Sequence, residues 1–203
     1  MILRVVSGRV SPGALDAVSD SFRRNYVPAA ERSAGLARFV VSAGSMPDGG
    51  HHVAAMTVWA TVEDALAAYG GNLAVLRTLD AADHGVRLTK VDYYEVDSTA
   101  GAGLGSRRPT IIRLTAGRVA RGFDADIQQE LRRHLPDMPA EALEGWVGRR
   151  VLDKDVEIAF ISTWTAAPAG RSLEEPIWPS ISDRYDTFRV VVQTILVEGV
   201  GTG

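Results

Sequence analysis

The chain says one thing twice. ILRVVSGRV at residues 2–10 returns as IIRLTAGRV at 111–119, so Arg4, Gly8, Arg9 and Val10 are matched by Arg113, Gly117, Arg118 and Val119. Gly35-Leu36 is answered by Gly145-Trp146, and MTVWAT at 56–61 by ISTWTA at 161–166, which makes Trp59 and Trp164 equivalents. The offset shrinks between the first and last of these landmarks, which locates a deletion: the first copy spends SMPDGGHH (45–52) where the second turns within DKD (153–155). Loops are where such changes are tolerated. Self-similarity over half a chain is the strongest constraint a sequence can carry, because both halves must adopt one fold. STAGAGLGSRRP, residues 98–109, has no periodicity and reads as a linker. The division is therefore a first repeat at 1–97, a linker at 98–109 and a second repeat at 110–198.

Each copy reads as βαββαβ. In the first, residues 2–10 form a strand, Ser11-Pro12-Gly13 starts a helix, and Leu15, Val18, Phe22 and Tyr26 make its apolar stripe. Pro28 marks the place where that helix should weaken. Strands follow at 36–43 and 53–60, and Thr61-Val-Glu-Asp64 opens a second helix that Gly70-Gly71 should interrupt on the way to about residue 79. LTKVDYYEV, 88–96, closes the copy. In the second copy Phe123, Ile127, Leu131 and Leu135 mark the first helix, whereas Pro176 and Pro179 reduce its second helix to a short helix or turns. Its last strand is FRVVVQTILV, 188–197.

A βαββαβ unit is α+β, with both helices on one face of a four-stranded antiparallel sheet. The other face also has to be covered, because VAAMTVWA and VVVQTILV are apolar on both alternating sets. The fold expected is therefore two ferredoxin-like repeats packed sheet to sheet as a pseudo-dimeric α/β barrel.

Composition excludes several classes of function. A net charge of −3 with scattered basic residues argues against nucleic acid, and no apolar run approaches a membrane span. The absence of cysteine removes thiolate chemistry and suits the cytoplasm. Four histidines are present; His51 and His52 fall in the glycine-rich hairpin loop, where neighbouring side chains diverge, and His84 and His134 read as surface residues, so no metal site is expected. P-loop, dinucleotide, HExxH and G-x-S-x-G motifs are all missing.

The order strand, G-R-V, helix, Gly-Leu and then T-V-W-(A/T) resembles the antibiotic biosynthesis monooxygenase group of the dimeric α/β-barrel superfamily, fused in tandem. The resemblance implies a cofactor-independent monooxygenase, or a related oxidoreductase, acting on an aromatic or polyketide-like molecule in the barrel cavity. It places Trp59 and Trp164 beside that cavity, although such residues also serve as plain core. Arg4 and Arg113 lie mid-strand among apolar neighbours and need either a carboxylate such as Asp92 or Glu95 or an anionic ligand. Tyr93 and Tyr94 alternate across a sheet, so that one faces the helices and the other the interior. Tyr69, Tyr185 and Trp178 complete the aromatic candidates, and Gly8 and Gly117 read as bulges.

The sequence also departs from the family pattern. Ala55 and Met56 precede Trp59 where an asparagine is expected, and the next tyrosine is Tyr69. Gly8 and a histidine-free segment at 62–79 stand where haem-degrading members carry an asparagine and a histidine, so haem is disfavoured. The first copy, with the longer loop and the intact second helix, is the one expected to hold the live site. A non-catalytic binding or interaction module stands as the alternative, and the sequence leaves open whether the fused chain pairs again as a homodimer.

Overall fold

The structure, a computed structural model, describes residues 1–73, 85–101, 107–138, 140–152, 155–166 and 181–199. His84, Trp178, Pro176 and Pro179 lie outside these residues. The elements in chain order are β1 (Ile2–Val10), α1 (Leu15–Ser21), α2 (Val27–Glu31), β2 (Leu36–Ser45), β3 (His51–Trp59), α3 (Val62–Ala68) and β4 (Val86–Ala100). The second copy supplies β5 (Ile111–Val119), α4 (Asp124–His134), β6 (Ala142–Leu152), β7 (Asp155–Trp164) and β8 (Tyr185–Gly199). The chain is α+β with eight antiparallel strands. None of the described helices is long and apolar enough to cross a membrane.

Two compact units result, and their borders differ from those of the repeats. One comprises Met1–Tyr93 with Thr194–Gly203, the other Tyr94–Gln193. In the first unit the strand order is β4-β1-β3-β2-β8, and the end of β8 pairs with β2 from Phe39↔Gly199 to Ala43↔Thr194. In the second it is β8-β5-β7-β6-β4, and the end of β4 pairs with β6 from Glu95↔Arg149 to Ala100↔Gly145. Each repeat thus gives up the end of its last strand to the unit built on the other. Ser98, Thr99 and Ala100, read from sequence as linker, are strand residues opposite Val147, Trp146 and Gly145. Their alternation carries no apolar signal, which is why the sequence hid them.

In the first unit β1 meets β3 in unbroken register from Ile2↔Trp59 to Val10↔His51. One face of the sheet packs on the helices through Ile2, Val10, Leu36, Phe39, Val41, Val53 and Trp59 against Val18, Phe22, Ala30 and Ala65. Burying a side chain of this size contributes about 1.5–3 kcal/mol. Leu3, Val5, Val40, Met56 and Val58, on the alternate positions, are buried as well, so both faces are dry as the double apolar pattern requires. A cation inside this unit, Arg38, is held by Glu198 on β8 at 2.8 Å.

The first helix continues past Pro28. A π-helical turn, Phe22–Tyr26, joins α1 to α2, with the Val27 N–H donating to the Phe22 carbonyl. Proline then sits in the first turn of α2, where its missing N–H is not needed. Thr61 caps α3 by accepting from the Asp64 N–H at 3.0 Å, as the capping pattern indicates. Gly35 has φ +73, and a Cβ there would collide with Asp64, so no other residue fits.

Three further expectations change. Gly8 makes no bulge in its register with β3; a Cβ would sit 3.0 Å from the Arg87 carbonyl oxygen, and close approach of β4 is what glycine allows. Gly117 is the counterpart, lying against Thr187 and Tyr185 of β8. His51 and His52 are not loop residues: they begin β3, opposite Val10 and Arg9. The G-R-V arginines stay equivalent, for Arg9 pairs with Asp48 at 2.7 Å and Arg118 with Asp155 at 3.2 Å.

In the second unit Ile127, Leu131 and Leu135 from α4 and the turn after it pack on Val147, Ile158 and Phe160. Arg132 and Gln128 of α4 tie down the end of β4 through Asp97, at 2.6 and 2.7 Å. Of the second helix of this copy, the described part is a 3₁₀ turn at Ser182–Arg184.

Candidate functional site

The sheet of the first unit carries a cavity of about 230 Å³ on its helix-covered face. Its walls come from Tyr26, from Ala29, Ala30 and Ser33 around the end of α2, from Leu36 and Trp59 on the sheet, and from Ala68 and Tyr69 at the end of α3. The local sequence explains each placement. Trp59 ends β3 directly opposite Ile2 and Leu36. Tyr69 is fixed by the helix stop behind it: Gly70 and Gly71 adopt φ +66 and +83, and the Gly71 N–H returns to the Leu66 carbonyl at 2.7 Å. Tyr26 is set by the π-turn.

The polar groups of this wall are connected. The Arg4 guanidinium lies 4.0 Å from the Tyr69 ring centroid, and Arg4 Nε donates to the Leu73 carbonyl at 3.0 Å. The Tyr69 hydroxyl is 3.2 Å from Thr57 Oγ1, and Thr57 stands opposite Arg4 in the β1–β3 ladder. Trp59 and Tyr69 meet edge to face at 5.7 Å. Burial raises the Tyr26 phenol well above its ordinary range; the neighbouring Tyr69 adds to this, and Arg4 only partly opposes it.

The two tryptophans are not alike. Trp164 Nε1 donates to Ser162 Oγ at 2.9 Å. Ser162 stands opposite Arg113, as Thr57 stands opposite Arg4. Thr57 turns its hydroxyl toward Tyr69, and Trp59 Nε1 is buried with no acceptor among the described residues. An unmet buried donor costs about 1–3 kcal/mol, and a ligand oxygen would recover it.

Of the six residues singled out from sequence, Arg4 and Trp59 are brought together at this cavity. Arg113 and Trp164 are buried at the matching places of the second unit. Tyr93 faces neither helices nor interior as expected: it is 44 % exposed. Tyr94 is fully buried and donates to Glu157 Oε1 at 2.5 Å, within a group completed by Arg150 at 2.8 Å and Arg189 at 3.6 Å. Burial pushes the Glu157 carboxyl upward, but the hydrogen bonds from Tyr94 and Arg150, with the positive charges of Arg150 and Arg189, outweigh it and hold the carboxyl below the ordinary carboxylate range. Tyr185 packs in the core of its unit, edge to face with Phe188. The cavity also lies on the helix side of the sheet, whereas the sequence reading put the ligand on the opposite face; Ile2 and Trp59 pair across the ladder and share the helix-facing side. Tyr26 and Thr57 escaped the sequence reading, the first because it looked like part of an apolar stripe.

A larger cleft of about 720 Å³ in the second unit is bordered by Arg121, Asp124, Asp155 and Asp186. Asp124 and Asp155 are engaged by Arg149 and Arg118, which makes it an ion-paired surface hollow.

No family model matches the chain, and no curated protein matches it in sequence. Solved structures do match. A candidate monooxygenase from Fusobacterium nucleatum subsp. nucleatum superposes with a TM-score of 0.72 at 10 % identity, covering 100 % of this chain and 94 % of its own. An anthrone oxidase-like protein gives 0.61 at 14 % identity, with 100 % and 94 % covered. The chain has their fold. A candidate monooxygenase from Lactobacillus acidophilus gives 0.57 at 10 % identity over 98 % and 96 %. The fold class is the one the repeats led to, α+β, and these likenesses speak for fold alone.

Proposed function

We propose that the protein is a monooxygenase-like oxidoreductase of the antibiotic biosynthesis type, acting on a small aromatic or polyketide-like molecule bound in the first unit. The observation that carries this reading is the cavity itself: an apolar slot of about 230 Å³ with a bare indole N–H, two phenols and an arginine behind them. Drug-sized ligands take about 300–1,000 Å³. One or two fused rings therefore suit this slot better than a long polyketide.

The chemistry that suits such a wall needs no bound cofactor. An electron-rich ring methylene, once deprotonated, reacts with O₂ to give a carbonyl and water. The protein contributes a dry slot, orientation and hydrogen bonds to the developing oxyanion. Trp59 supplies a donor and a flat wall, and Arg4 supplies positive charge close by. Neighbours named as monooxygenases and an anthrone oxidase-like protein support the class at the level of fold.

The test is oxygen uptake over a panel of anthrones, naphthols and hydroxyquinones. Wild-type protein is expected to consume O₂ with at least one of them, and Trp59→Phe and Arg4→Ala to lower kcat/KM by about tenfold or more. Absence of uptake across the panel overturns the reading and leaves a binding module.

A further inference from the structure

Four side chains in the lining of the first unit's cavity carry polar atoms: Tyr26, Ser33, Trp59 and Tyr69. Trp59, on the sheet wall, offers a donor. Tyr26 and Tyr69 are hydrogen-bonded to each other, and the Tyr69 hydroxyl meets Thr57 at 3.2 Å. That leaves Ser33, half-buried just past the end of α2 on the helix wall. Both of its protons are committed: the hydroxyl donates to the Ala29 carbonyl at 3.0 Å, and the N–H donates to the Ala30 carbonyl at 3.0 Å. A hydroxyl that has given its proton to a carbonyl keeps only its lone pairs, so to a ligand Ser33 Oγ is an acceptor. Among the described residues nothing donates to it. Its neighbours in the lining, Ala29 and Ala30, are too small to cover it. The helix that ends here runs without a break from Leu15 through the π-turn to Glu31, so its C-terminal partial negative charge falls on the same wall. A ligand edge that meets this wall must bring a hydrogen; a carboxylate, a quinone oxygen or a naphtholate would set lone pair against lone pair.

We infer that Ser33 is a specificity-determining residue of this cavity, and that the ligand carries two polar positions: an oxygen that accepts from Trp59 on the sheet wall, and a neutral O–H or N–H that donates to Ser33 on the helix wall. The ligand class is thus a small fused-ring phenol with a second hydroxyl or an amino group. Ser33 reads the second position and leaves the first to Trp59. The inference rests on the proposed ligand cavity but not on what O₂ does there.

The probes are 2,6- and 2,7-dihydroxynaphthalene, each compared with the fluoronaphthol in which fluorine replaces one hydroxyl, and with 2-naphthol itself. Fluorine has nearly the size of a hydroxyl and no proton to give. Binding is measured by calorimetry at neutral pH, where phenolic hydroxyls are protonated. Wild-type protein is expected to bind at least one of the diols about fivefold more tightly than its fluoro counterpart. In Ser33→Ala that preference should fall to less than about twofold, while affinity for 2-naphthol changes by less than about twofold. A loss of stability alone would weaken all the probes together and leave the preference in place. A folded Ser33→Ala protein that keeps the preference overturns the inference, as does a wild type that binds naphthols without it. If Ser33→Ala fails to fold by circular dichroism, the wild-type comparison decides alone. Failure of every naphthalene to bind removes the cavity reading itself, and the inference with it. A protein that prefers the diol yet consumes no O₂ would remove the oxygenase reading and leave the role of Ser33 standing.

Discussion

Glu157→Ala is expected to be the most damaging single change outside the cavity. The carboxylate accepts from the fully buried Tyr94 hydroxyl at 2.5 Å and from Arg150 at 2.8 Å, and Arg150 is itself only 11 % exposed. Removing one partner of a buried ionic group costs about 3–5 kcal/mol. In a chain of this size that is a fall of roughly 6–20 °C in Tm, measurable by calorimetry. Glu157→Gln keeps the volume and should cost less. The pH dependence has a definite sign. Folding lowers the pKa of Glu157 from its ordinary value, so its ionised form is favoured by folding; the stability this contributes is fully present above the unfolded pKa and disappears as pH falls through the folded one. The stability difference between wild type and Glu157→Gln should therefore shrink below about pH 4.5. A difference that stays constant down to pH 3 contradicts this assignment.

The second large effect is an asymmetry between equivalent tryptophans. Trp59→Phe is expected to weaken binding of 2-naphthol about tenfold, because it deletes the donor that meets no acceptor and part of the apolar wall. Trp164→Phe should change binding by less than about twofold, since its N–H already belongs to Ser162. Its cost appears in stability instead, because Ser162 Oγ loses a buried donor. Titration by intrinsic fluorescence or calorimetry separates the two. Equal losses in both variants would mean that the repeats bind alike and that the Thr57 and Ser162 contacts do not matter.

Much of this architecture was legible in the chain. Landmarks such as Gly35-Leu36 and the two tryptophans sit at matching places because each is set by local geometry: a glycine pressed on Asp64, a residue at a strand end facing Ile2 or Ile111. Apolar residues on both alternations correctly demanded sheets buried on both faces. The exchange of strand ends was not legible, because the pairing of Phe39 with Gly199 joins segments far apart in the chain, and no local pattern of residues names a strand's partner. The site was read by halves. Arg4 and Trp59 declared themselves as a charge among apolar residues and a large aromatic at a strand end. Tyr26 did not, because a π-turn leaves no mark in an i, i+4 pattern; Pro28 is the nearest hint, and a proline by itself signals only a weakened helix. Nor could a repeat alignment show that Thr57 and Ser162, near-synonyms at one register position, hold different partners.

The central claim is that the helix-side cavity of the first unit is the ligand site, and a crystal structure of the protein with 2-naphthol tests it most directly. The account predicts the naphthol ring in the slot between Tyr26, Trp59 and Tyr69, its oxygen within about 3 Å of Trp59 Nε1. Naphthol bound elsewhere, with that slot closed by its own side chains, would contradict it.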